Sequence, residues 1–261
     1  MITNFLSTIN ILNHSTFSIT MPTTWHEGLI RKIEPIAPDV RHFEVEIPAM
    51  QSVDFQAGQF ITMDLPIGDK RLQRWRSYSI ASAPDGSNIL EFCIARSTEG
   101  IGSRYLFESV NEGSELRFKG PEGGFVLPDI IEKDLVFICT GTGIAPFRSM
   151  ILDIKNTGKL YRNIHLIFGT RTESGLLYRA EMEQLAREMP RFRYDAVLSR
   201  QPDWSGWKGH VHQVYLEEYQ TVRPDVDFFI CGWSSMIDDA VANLMIKMGY
   251  GRSQIHFELY G

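Results

Sequence analysis

The sequence predicts a two-domain protein in which an all-β half precedes an α/β half. The 261 residues suffice for two domains of ordinary size, each with its own core. From Trp25 to about Pro128, short β-forming runs alternate with turn residues. Beyond Pro128, apolar strand candidates alternate with helical stretches, which is typical of a parallel sheet covered by helices.

The first 23 residues fit neither pattern. MITNFLSTINILNHSTFSITMP (1–22) contains no Lys or Arg and no continuous apolar core, so it makes a poor signal peptide. It is rich in Ser, Thr and Asn and includes a second methionine, Met21. We expect residues 1–23 to be a loose arm or the product of an upstream start codon, and we assign them no function.

Residues 24–130 contain β-forming runs with the spacing of a small antiparallel barrel or sandwich. Turn sequences such as PDGSN and NEGS separate them. The runs are HFEVEI (42–47), QFITMDL (59–65), RSYSIAS (76–82), ILEFCIA (89–95) and ELRFKG (115–120).

Residues 131–261 contain five apolar strand candidates, with the domain boundary expected near 128–133. Helices are predicted over GLLYRAEMEQLARE (175–188) and SMIDDAVANLMIKM (235–248). The strand candidates are DLVFICT (134–140), NIHLIFG (163–169), FRYDAVLS (192–199), VDFFICG (226–232) and QIHFELY (254–260).

Composition and charge exclude several classes of protein. The formal net charge of -6 argues against nucleic acid as the main partner, and no apolar run reaches the length of a membrane span. The three cysteines, Cys93, Cys139 and Cys231, are too few and too widely spaced for a disulfide framework, a metal site or an iron-sulfur cluster. We therefore expect a cytoplasmic protein with reduced thiols and no metal.

RWRSYSIAS (74–82) is the first candidate binding segment. In a strand, alternation places Arg76 and Tyr78 on one face and Ser79 on the other. The segment is either an exposed edge strand or a ligand-binding strand. In the second case Arg76 neutralises a phosphate, Tyr78 packs on a flat ligand and Ser79 supplies a hydrogen bond.

GTGIAP (141–146) follows the first strand candidate of the α/β half and opens a helix. Its small residues, Gly141, Thr142 and Gly143, allow close approach of a ligand, and Pro146 suits an early helical position. A tight strand-to-helix turn is the alternative. CGW (231–233) ends the fourth strand candidate, so the two turns would flank one crevice at the carboxyl ends of the strands. The spacing is not GxGxxG and FGTR ends the second strand without an acid, so a standard NAD-type ribose clamp is not expected.

Six motifs occur in a fixed order from about residue 25 to the C-terminus: R-x-Y-S, G-x-x-S, G-P-x-G-x-F, G-T-G-I-A-P, C-G and a terminal E-x-Y. In this combination the sequence resembles the ferredoxin-NADP reductase superfamily of flavoenzymes. The resemblance implies an antiparallel Greek-key β-barrel that binds FAD, in residues 24–130. It also implies a five-stranded parallel α/β domain that binds NAD(P)H, in residues 131–261.

The resemblance assigns roles in flavin binding. Arg76 would contact a flavin phosphate, Tyr78 would pack on the isoalloxazine ring and Ser79 would lie near its reactive N5 atom. The turn EGIGSRY (99–105) matches the second phosphate-holding turn of the family.

That turn would contribute Gly100, Gly102 and Ser103, although helix capping explains Ser103 equally well. GPEGGF (120–125) matches the motif that closes the flavin domain, and a purely structural bend is its alternative.

The resemblance also assigns residues near the nicotinamide. Cys231, followed by Gly232, would lie beside the nicotinamide C4 atom, whereas the alternative is a cysteine that only fills the core. Ser234 stands where the family commonly has proline. Glu258 would lie near the active-site serine, and Tyr260 would cover the other flavin face and move aside for nicotinamide, unless ELYG simply ends a closing strand.

Ser199 and Arg200 match a Ser-Arg pair that holds the 2′-phosphate in NADP-specific relatives, and Arg171 is a second, weaker candidate. The alternative for Arg200 is a solvated loop charge. The segment DWSGWKGHV (203–211) is similar to NADH-linked oxygenase reductases. Because Ser199 and Arg200 match the NADP-specific pattern, we favour NADPH over NADH despite this second similarity.

The resemblance implies an FAD-dependent NAD(P)H oxidoreductase, with FMN as the alternative flavin. It would pass a hydride between nicotinamide and flavin, and single electrons to or from a separate carrier. Because the chain has no iron-sulfur ligands, we expect that carrier to be a ferredoxin, a flavodoxin, an oxygenase component or free flavin. RLQRWR (71–76), Arg96 and Arg104 could form a basic patch for an acidic carrier, or serve only flavin phosphates and solvent.

Three other readings remain open from the sequence. The chain could be the NADH-linked reductase component of an oxygenase. It could be a non-catalytic, flavin-binding regulatory subunit. Finally, it could be an NAD(P)-binding protein whose β half binds no flavin.

Overall fold

The computed structural model describes residues 24–259 and consists of two six-stranded sheets joined by a shared core. The first sheet lies within residues 25–122 and the second within residues 134–259. The expected arm over residues 1–23 and the expected nicotinamide gate, Tyr260, lie outside the described residues.

The first sheet is antiparallel throughout and has the strand order β4-β3-β6-β1-β2-β5. An antiparallel bridge between Ile80 and Phe92 joins the chain after β4 to β5, so the two ends of the sheet meet and form a barrel. The strands are β1 (Trp25–Ala37), β2 (Val40–Glu46), β3 (Phe60–Asp64), β4 (Trp75–Ser79), β5 (Ile89–Ala95) and β6 (Glu115–Glu122).

β1 is a strand that the sequence patterns did not single out. Only Gly28 and Ile30 are buried along its 13 residues, so its apolar alternation is weak. Two short helices complete this half: α1 (Arg71–Arg74) precedes β4, and α2 (Ile101–Glu108) follows β5.

The second sheet is parallel throughout and has the order β10-β9-β8-β7-β11-β12. The five predicted strands are present, and the two-residue β10 extends the sheet to six strands. The strands are β7 (Asp134–Thr140), β8 (Ile164–Thr170), β9 (Phe192–Leu198), β10 (Trp207–Lys208), β11 (Val226–Gly232) and β12 (Ile255–Leu259). The predicted fold class, a β domain followed by a parallel α/β domain, is confirmed.

The strand order reverses between β7 and β11, because β8 lies on one side of β7 and β11 lies on the other. In open parallel sheets, ligands bind at the carboxyl ends of strands at such a reversal. GTGIAP follows β7 here and CGW ends β11, so the fold places both turns at this point.

Four α-helices connect these strands: α3 (Ile144–Thr157), α4 (Arg179–Glu188), α5 (Val211–Glu218) and α6 (Ser234–Ala242). The helix predicted from residue 175 begins only at Arg179. A single 3₁₀ turn occupies Glu173–Gly175, and Tyr178 has a left-handed backbone (φ 53°) that cannot continue a helix. The helix predicted over 235–248 is α6 followed by a π-helical turn at Asn243–Lys247.

A core runs across the junction of the two sheets. Ala81 and Cys93 of the barrel pack in one buried cluster with Phe137 of β7 and Phe147 of α3. None of the helices within residues 24–259 is long and apolar enough to cross a membrane.

Candidate active site at the junction of the two sheets

Ser79 and Glu258 meet at the junction, although 179 residues separate them in the chain. Ser79 is the last residue of β4, and Glu258 lies on β12, the edge strand of the second sheet. The Ser79 hydroxyl donates a hydrogen bond to Oε2 of Glu258 over 3.2 Å, and Ser79 is only 5% exposed. The first and last motifs of the sequence therefore come together in one partly buried contact.

Burial raises the pKa of Glu258 to about 7, while the hydrogen bond from Ser79 opposes that rise. The carboxyl group therefore changes between its neutral and charged forms near neutral pH. It borders a cavity of about 360 Å³, whose walls are Gly124, Phe125, Arg252, Ile255, His256, Phe257 and Glu258. Glu258 is thus placed to exchange a proton between Ser79 and a cavity at the junction.

Cys231 lies on β11 directly beside Glu258, since the two residues are paired in the register of β11 and β12. On the other side it is paired with Cys139 of β7. Its side chain is fully buried and belongs to the core cluster shared by the two sheets. Cys231 therefore lies beside Glu258 and within the core, while its expected position beside the nicotinamide C4 atom stays a prediction.

The turn Gly141–Gly143 and the end of β11 approach each other very closely. A Cβ atom added at Gly143 would lie 2.3 Å from the carbonyl oxygen of Cys231, and one added at Gly232 would lie 2.4 Å from Oγ1 of Thr140. Gly232 also has φ 147°, which side chains rarely permit. The structure thus brings together the two turns expected to flank one crevice, including Thr142 between the glycines.

Pro146 is the third residue of α3, which begins at Ile144 directly after this turn. The helix therefore directs its first N–H groups toward the turn, as a phosphate-binding helix does.

Trp233 is a residue that the sequence analysis did not single out. It is 70% exposed, and its indole lies over the turn, because a Cβ atom added at Gly141 would be 3.8 Å from Nε1 of Trp233. The backbone N–H of Trp233 donates a hydrogen bond to Oγ1 of Thr140 over 3.4 Å. The sequence offered one hint of this position: in CGWSS, Ser234 stands after Trp233 where the family commonly has proline.

Arg76 meets the second predicted phosphate turn. A Cβ atom added at Gly102 would lie 2.9 Å from Cγ of Arg76, so the arginine side chain packs directly on the backbone at the start of α2. Nη1 of Arg76 donates to the carbonyl oxygens of Leu72 and Trp75 over 3.2 and 2.7 Å. A guanidinium group and a helix N-terminus therefore lie side by side.

The Ser103 hydroxyl is used inside its own turn. It accepts a hydrogen bond from the Ser97 N–H over 2.9 Å and donates to the carbonyl oxygen of Gly100 over 3.1 Å. Gly100 is the N-cap residue of α2 and no side chain caps this helix, so Ser103, the third residue of α2, holds the loop from Ser97 to Gly100 instead of capping a helix N–H group.

Tyr78 packs against the barrel core at its edge. Burial raises the pKa of its phenol to about 12, and the nearby Arg76 opposes that rise. Tyr78 therefore stays neutral at physiological pH, as an aromatic ring that packs on a flat ligand must.

The three residues expected at a ribose phosphate also converge. The Arg200 N–H donates to the carbonyl oxygen of Arg171 over 2.8 Å, and the Ser199 N–H donates to that of Thr170 over 3.1 Å. Both arginine side chains are exposed. The backbones of these three residues are therefore neighbours at the ends of β8 and β9, and the Ser199 hydroxyl donates to the carbonyl oxygen of Thr170 over 3.4 Å.

The expected basic patch is partly neutralised by acidic neighbours. Arg74 forms a bidentate pair with Asp64 at 2.7 and 3.0 Å, and Arg96 pairs with Glu108 at 2.5 Å. Arg71 instead packs on an aromatic ring, because its guanidinium carbon lies 4.2 Å from the centre of the Trp75 ring.

The residues present fit a flavin nucleotide and a nicotinamide nucleotide. The barrel site combines the N-terminus of α2, the closely packed Gly102 and the guanidinium of Arg76. The α/β site combines the N-terminus of α3 with the closely packed Gly143. Among residues 24–259, no group of three or more His, Cys, Asp and Glu side chains is arranged to hold a metal ion.

Comparison with known families agrees with this division. Residues 27–127 match the oxidoreductase FAD-binding domain, and residues 137–242 match the oxidoreductase NAD-binding domain.

Among known proteins, the chain is 34% identical over 240 residues to ferredoxin-NADP reductase B of Sorangium cellulosum, covering 90% of this chain and 97% of that one. It is 29% identical to the phenol hydroxylase P5 protein of Acinetobacter pittii, covering 90% of this chain and 65% of that one. It is also 32% identical to the anthranilate 1,2-dioxygenase electron transfer component of Acinetobacter baylyi, over 72% of this chain and 53% of that one. The chain therefore spans less than two thirds of these two oxygenase-linked relatives.

Solved structures share the fold. A cytochrome P450 reductase from Amycolatopsis superposes with a TM-score of 0.81 at 25% identity, covering 92% of this chain and 71% of that one. A ferredoxin NADP⁺ reductase from Neisseria gonorrhoeae, with bound FAD and NADP, superposes with a TM-score of 0.75 at 26% identity, covering 90% and 98%.

Proposed function

Since this chain belongs to the ferredoxin-NADP reductase superfamily and is a flavin-dependent NAD(P)H oxidoreductase, we propose that it reduces a separate electron carrier from the junction of its two sheets. Residues 24–130 form the FAD-binding domain and residues 131–261 the NAD(P)-binding domain in this proposal. The observation that carries it is the hydrogen bond between Ser79 of the barrel and Glu258 of the second sheet.

The barrel residues bind and orient the flavin. Arg76 and the N-terminus of α2, with Gly100 and Gly102, bind its phosphates, and Tyr78 packs on its ring. Bound FAD would accept two electrons as a hydride and release them one at a time. Protein side chains cannot carry out this chemistry.

Ser79, Glu258 and Cys231 surround the reacting atoms. NAD(P)H and two oxidised one-electron carriers give NAD(P)⁺, a proton and two reduced carriers, so each turnover releases one proton. Glu258, whose pKa is raised to about 7 by burial, accepts that proton through the Ser79 hydroxyl and passes it to the adjoining cavity. Cys231 would help to position the nicotinamide ring from the neighbouring strand. Tyr260, which lies outside the described residues, keeps its predicted role as the nicotinamide gate.

The nicotinamide nucleotide binds across Gly141, Thr142, Gly143, Pro146 and Gly232, with its phosphates at the N-terminus of α3. We favour NADPH because Arg171, Ser199 and Arg200 are backbone neighbours at the ends of β8 and β9, and the two exposed guanidinium groups there suit a 2′-phosphate.

The carrier is a ferredoxin, a flavodoxin or an oxygenase component. The name of the Sorangium relative supports a ferredoxin, and its length matches this chain. The names of the two oxygenase-linked relatives support the second candidate, the NADH-linked reductase component of an oxygenase. We place the protein in the cytoplasm, since this chemistry uses soluble carriers and nucleotides.

Anaerobic stopped-flow absorbance at the flavin band tests the proposal. The purified protein is mixed with NADPH and, separately, with NADH. We expect fast bleaching with NADPH and slower bleaching with NADH. Bleaching with NADH alone would support the oxygenase-reductase candidate, and no bleaching with either nucleotide in a flavin-containing protein would overturn the proposed function.

A further inference from the structure

A buried polar cluster outside the candidate active site joins the two halves through α3. Its centre is Arg148, which is 9% exposed, and the next residue, Ser149, is fully buried. Buried arginines are rare in proteins unless they are fully paired. The partners of Arg148 therefore indicate what the cluster does.

The guanidinium group of Arg148 contacts both halves of the molecule. Nη1 donates to Oε2 of Glu91 on β5 over 2.6 Å, while Nε and Nη2 donate to the two carboxylate oxygens of Glu181 on α4 over 2.6 and 2.9 Å. Nη1 also donates to the carbonyl oxygen of Ala81 over 2.8 Å. One planar group thus connects a barrel strand, a helix of the second domain and the backbone of the barrel.

The backbone that receives these contacts is the segment that follows Ser79. Ser149 donates a hydrogen bond to the carbonyl oxygen of Ser82 over 2.5 Å, next to the Ala81 carbonyl bound by Arg148. From the other side, the Ala81 N–H donates to the carbonyl oxygen of Glu91 over 2.7 Å. Residues 81–82 are therefore held between β5 and α3, two residues beyond the active-site serine.

A second contact crosses the junction beside the first. The Tyr178 hydroxyl lies 3.0 Å from Nδ1 of His42 on β2, and the Arg148 guanidinium lies 4.6 Å over the Tyr178 ring. Among residues 24–259, Tyr178 is the only non-glycine residue with a positive φ. Such a backbone is unfavourable for a residue with a side chain and persists only where the surroundings require it. The contacts of Tyr178 with His42 and Arg148 supply that requirement.

The same helix carries the proposed nucleotide turn at its N-terminus. α3 begins at Ile144, immediately after Gly141–Gly143, and Arg148 lies about one helical turn further on. One turn of α-helix is stiff. A hydrogen bond at Arg148 therefore fixes the position of the Gly141–Gly143 segment at the start of the same helix. The flavin strand β4 and the nucleotide turn are therefore connected through a few short hydrogen bonds.

We propose that Arg148 is a positioning residue, which sets the separation between the nucleotide and flavin sites by holding α3 to the backbone of residues 81–82. This inference rests on the proposed function. Hydride transfer requires the reacting atoms to approach within about 3–3.5 Å, and an error of 1 Å can reduce the rate about 100-fold. The hydrogen bonds of Arg148 give a stiffer connection between the two sites than apolar packing alone, and so they meet that requirement.

Arginine is the side chain that this position needs. Burial lowers the pKa of Arg148, but the carboxylates of Glu181 and Glu91 more than offset that effect, so its pKa lies above the ordinary value. The group stays charged at all physiological pH values. Lysine would keep the charge but has no planar fork, so it cannot bind Glu181 through two atoms and also reach Glu91 and Ala81.

The test compares Arg148→Lys with the wild-type flavoprotein in anaerobic single-turnover reduction by NADPH, and by NADH as well. We expect the limiting rate of flavin bleaching to fall about 10- to 100-fold, with flavin content and nucleotide Kd within about twofold of wild type. Hydrogen exchange followed by mass spectrometry provides a readout independent of activity. We expect faster exchange in the peptide that contains residues 79–95.

Arg179→Lys is the matched control. Arg179 also pairs with two carboxylates, Glu173 and Glu183, but both belong to its own half of the molecule. The control should therefore keep the wild-type limiting rate. Ser149→Ala removes only the bond to Ser82 and should lower the limiting rate about two- to fivefold, which keeps the test informative if Arg148→Lys does not fold.

The outcomes separate the two proposals. If wild type bleaches normally and both Arg148→Lys and Ser149→Ala retain its limiting rate, the positioning role is wrong while the proposed function stands. A loss of thermal stability in Arg148→Lys with an unchanged limiting rate would also overturn it, because Arg148 would then be only structural. If wild type is not bleached by either nucleotide, both proposals fail.

Discussion

The two halves of the molecule build their proposed ligand sites from different parts of the chain. The barrel adds side chains to the helix N-terminus that both sites use, since Arg76, Tyr78 and Ser79 lie on one short strand. The α/β half presents backbone, since Gly143 and Gly232 bring two turns into direct contact. A side-chain site can lose one interaction and keep its fold, whereas a backbone site cannot change without moving the chain.

Gly143→Ala should give the largest effect, because it tests the backbone side of this comparison. The new Cβ atom would lie 2.3 Å from the Cys231 carbonyl oxygen and 2.6 Å from its carbon, both of which are backbone atoms held in β11. We expect the free energy of unfolding to fall by about 3 kcal/mol or more, measured by urea denaturation.

Gly251→Ala is the control for that measurement. A Cβ atom there would meet only side-chain atoms at 3.6 and 3.8 Å, which is ordinary van der Waals contact. Its stability should stay within about 0.5 kcal/mol of wild type. Equal stability of the two variants would show that the turns can separate, and would remove the contrast between the sites.

Glu258→Gln tests the point where the two halves meet. The unfolded carboxyl has its ordinary pKa of 4.5, and burial raises the folded value to about 7. Unfolding therefore releases a proton between these pH values, so the wild-type protein loses stability as pH rises through 7. The variant cannot ionise, and at pH 9 we expect it to be more stable than wild type by up to about 3 kcal/mol.

Thermal unfolding of the flavin-loaded proteins at pH 5, 7 and 9 measures this difference. At pH 5 the folded wild-type carboxyl is neutral, so the gain should be much smaller there. A gain that does not depend on pH would contradict a raised pKa for Glu258.

Tyr78→Ala tests the side-chain side of the comparison. Loss of the ring should weaken flavin binding by about 2 kcal/mol, while the fold of the α/β half is unaffected. Tyr78→Phe keeps the ring and should retain affinity. Flavin Kd is measured by fluorescence titration of the deflavinated protein, and full flavin retention with an unchanged spectrum in Tyr78→Ala would argue against stacking.

Arg200→Ala and Arg171→Ala should give the smallest effects, because both side chains are exposed and solvent screens their charges. For Arg200→Ala we expect KM for NADPH to rise about 5- to 10-fold, equivalent to about 1 kcal/mol, and KM for NADH to change little. Arg171→Ala should act in the same direction but less strongly. Equal effects on both coenzymes would leave no argument for a phosphate site at the ends of β8 and β9.

Local patterns predicted the strands well, because alternation and apolar runs report burial directly. DLVFICT and VDFFICG are strands over the predicted residues, 134–140 and 226–232. The prediction failed where burial did not follow the pattern. β1 buries few side chains, and the helix expected from residue 175 is interrupted at Tyr178.

Sequence motifs singled out Arg76, Ser79 and Glu258 as candidate site residues, and their roles stay predictions. Trp233 and Arg148 carried no such signal. An exposed tryptophan after a strand and an arginine inside a helix are unremarkable until their neighbours are known. Arg148 draws its partners from residues 81, 91 and 181, which no local window contains.

The sequence by itself determined the two-domain plan, the order of the strands along the chain and the turns that suit phosphates, because these depend on short-range alternation, glycine and helix starts. The resemblance implied that Glu258 lies near Ser79, but only the tertiary structure decided the hydrogen bond between them, the burial that raises the pKa of this carboxyl to about 7, and the connection of the two halves by Arg148. Those properties arise from desolvation and from hydrogen bonds between segments far apart in the chain, so they exist only after both domains have packed together.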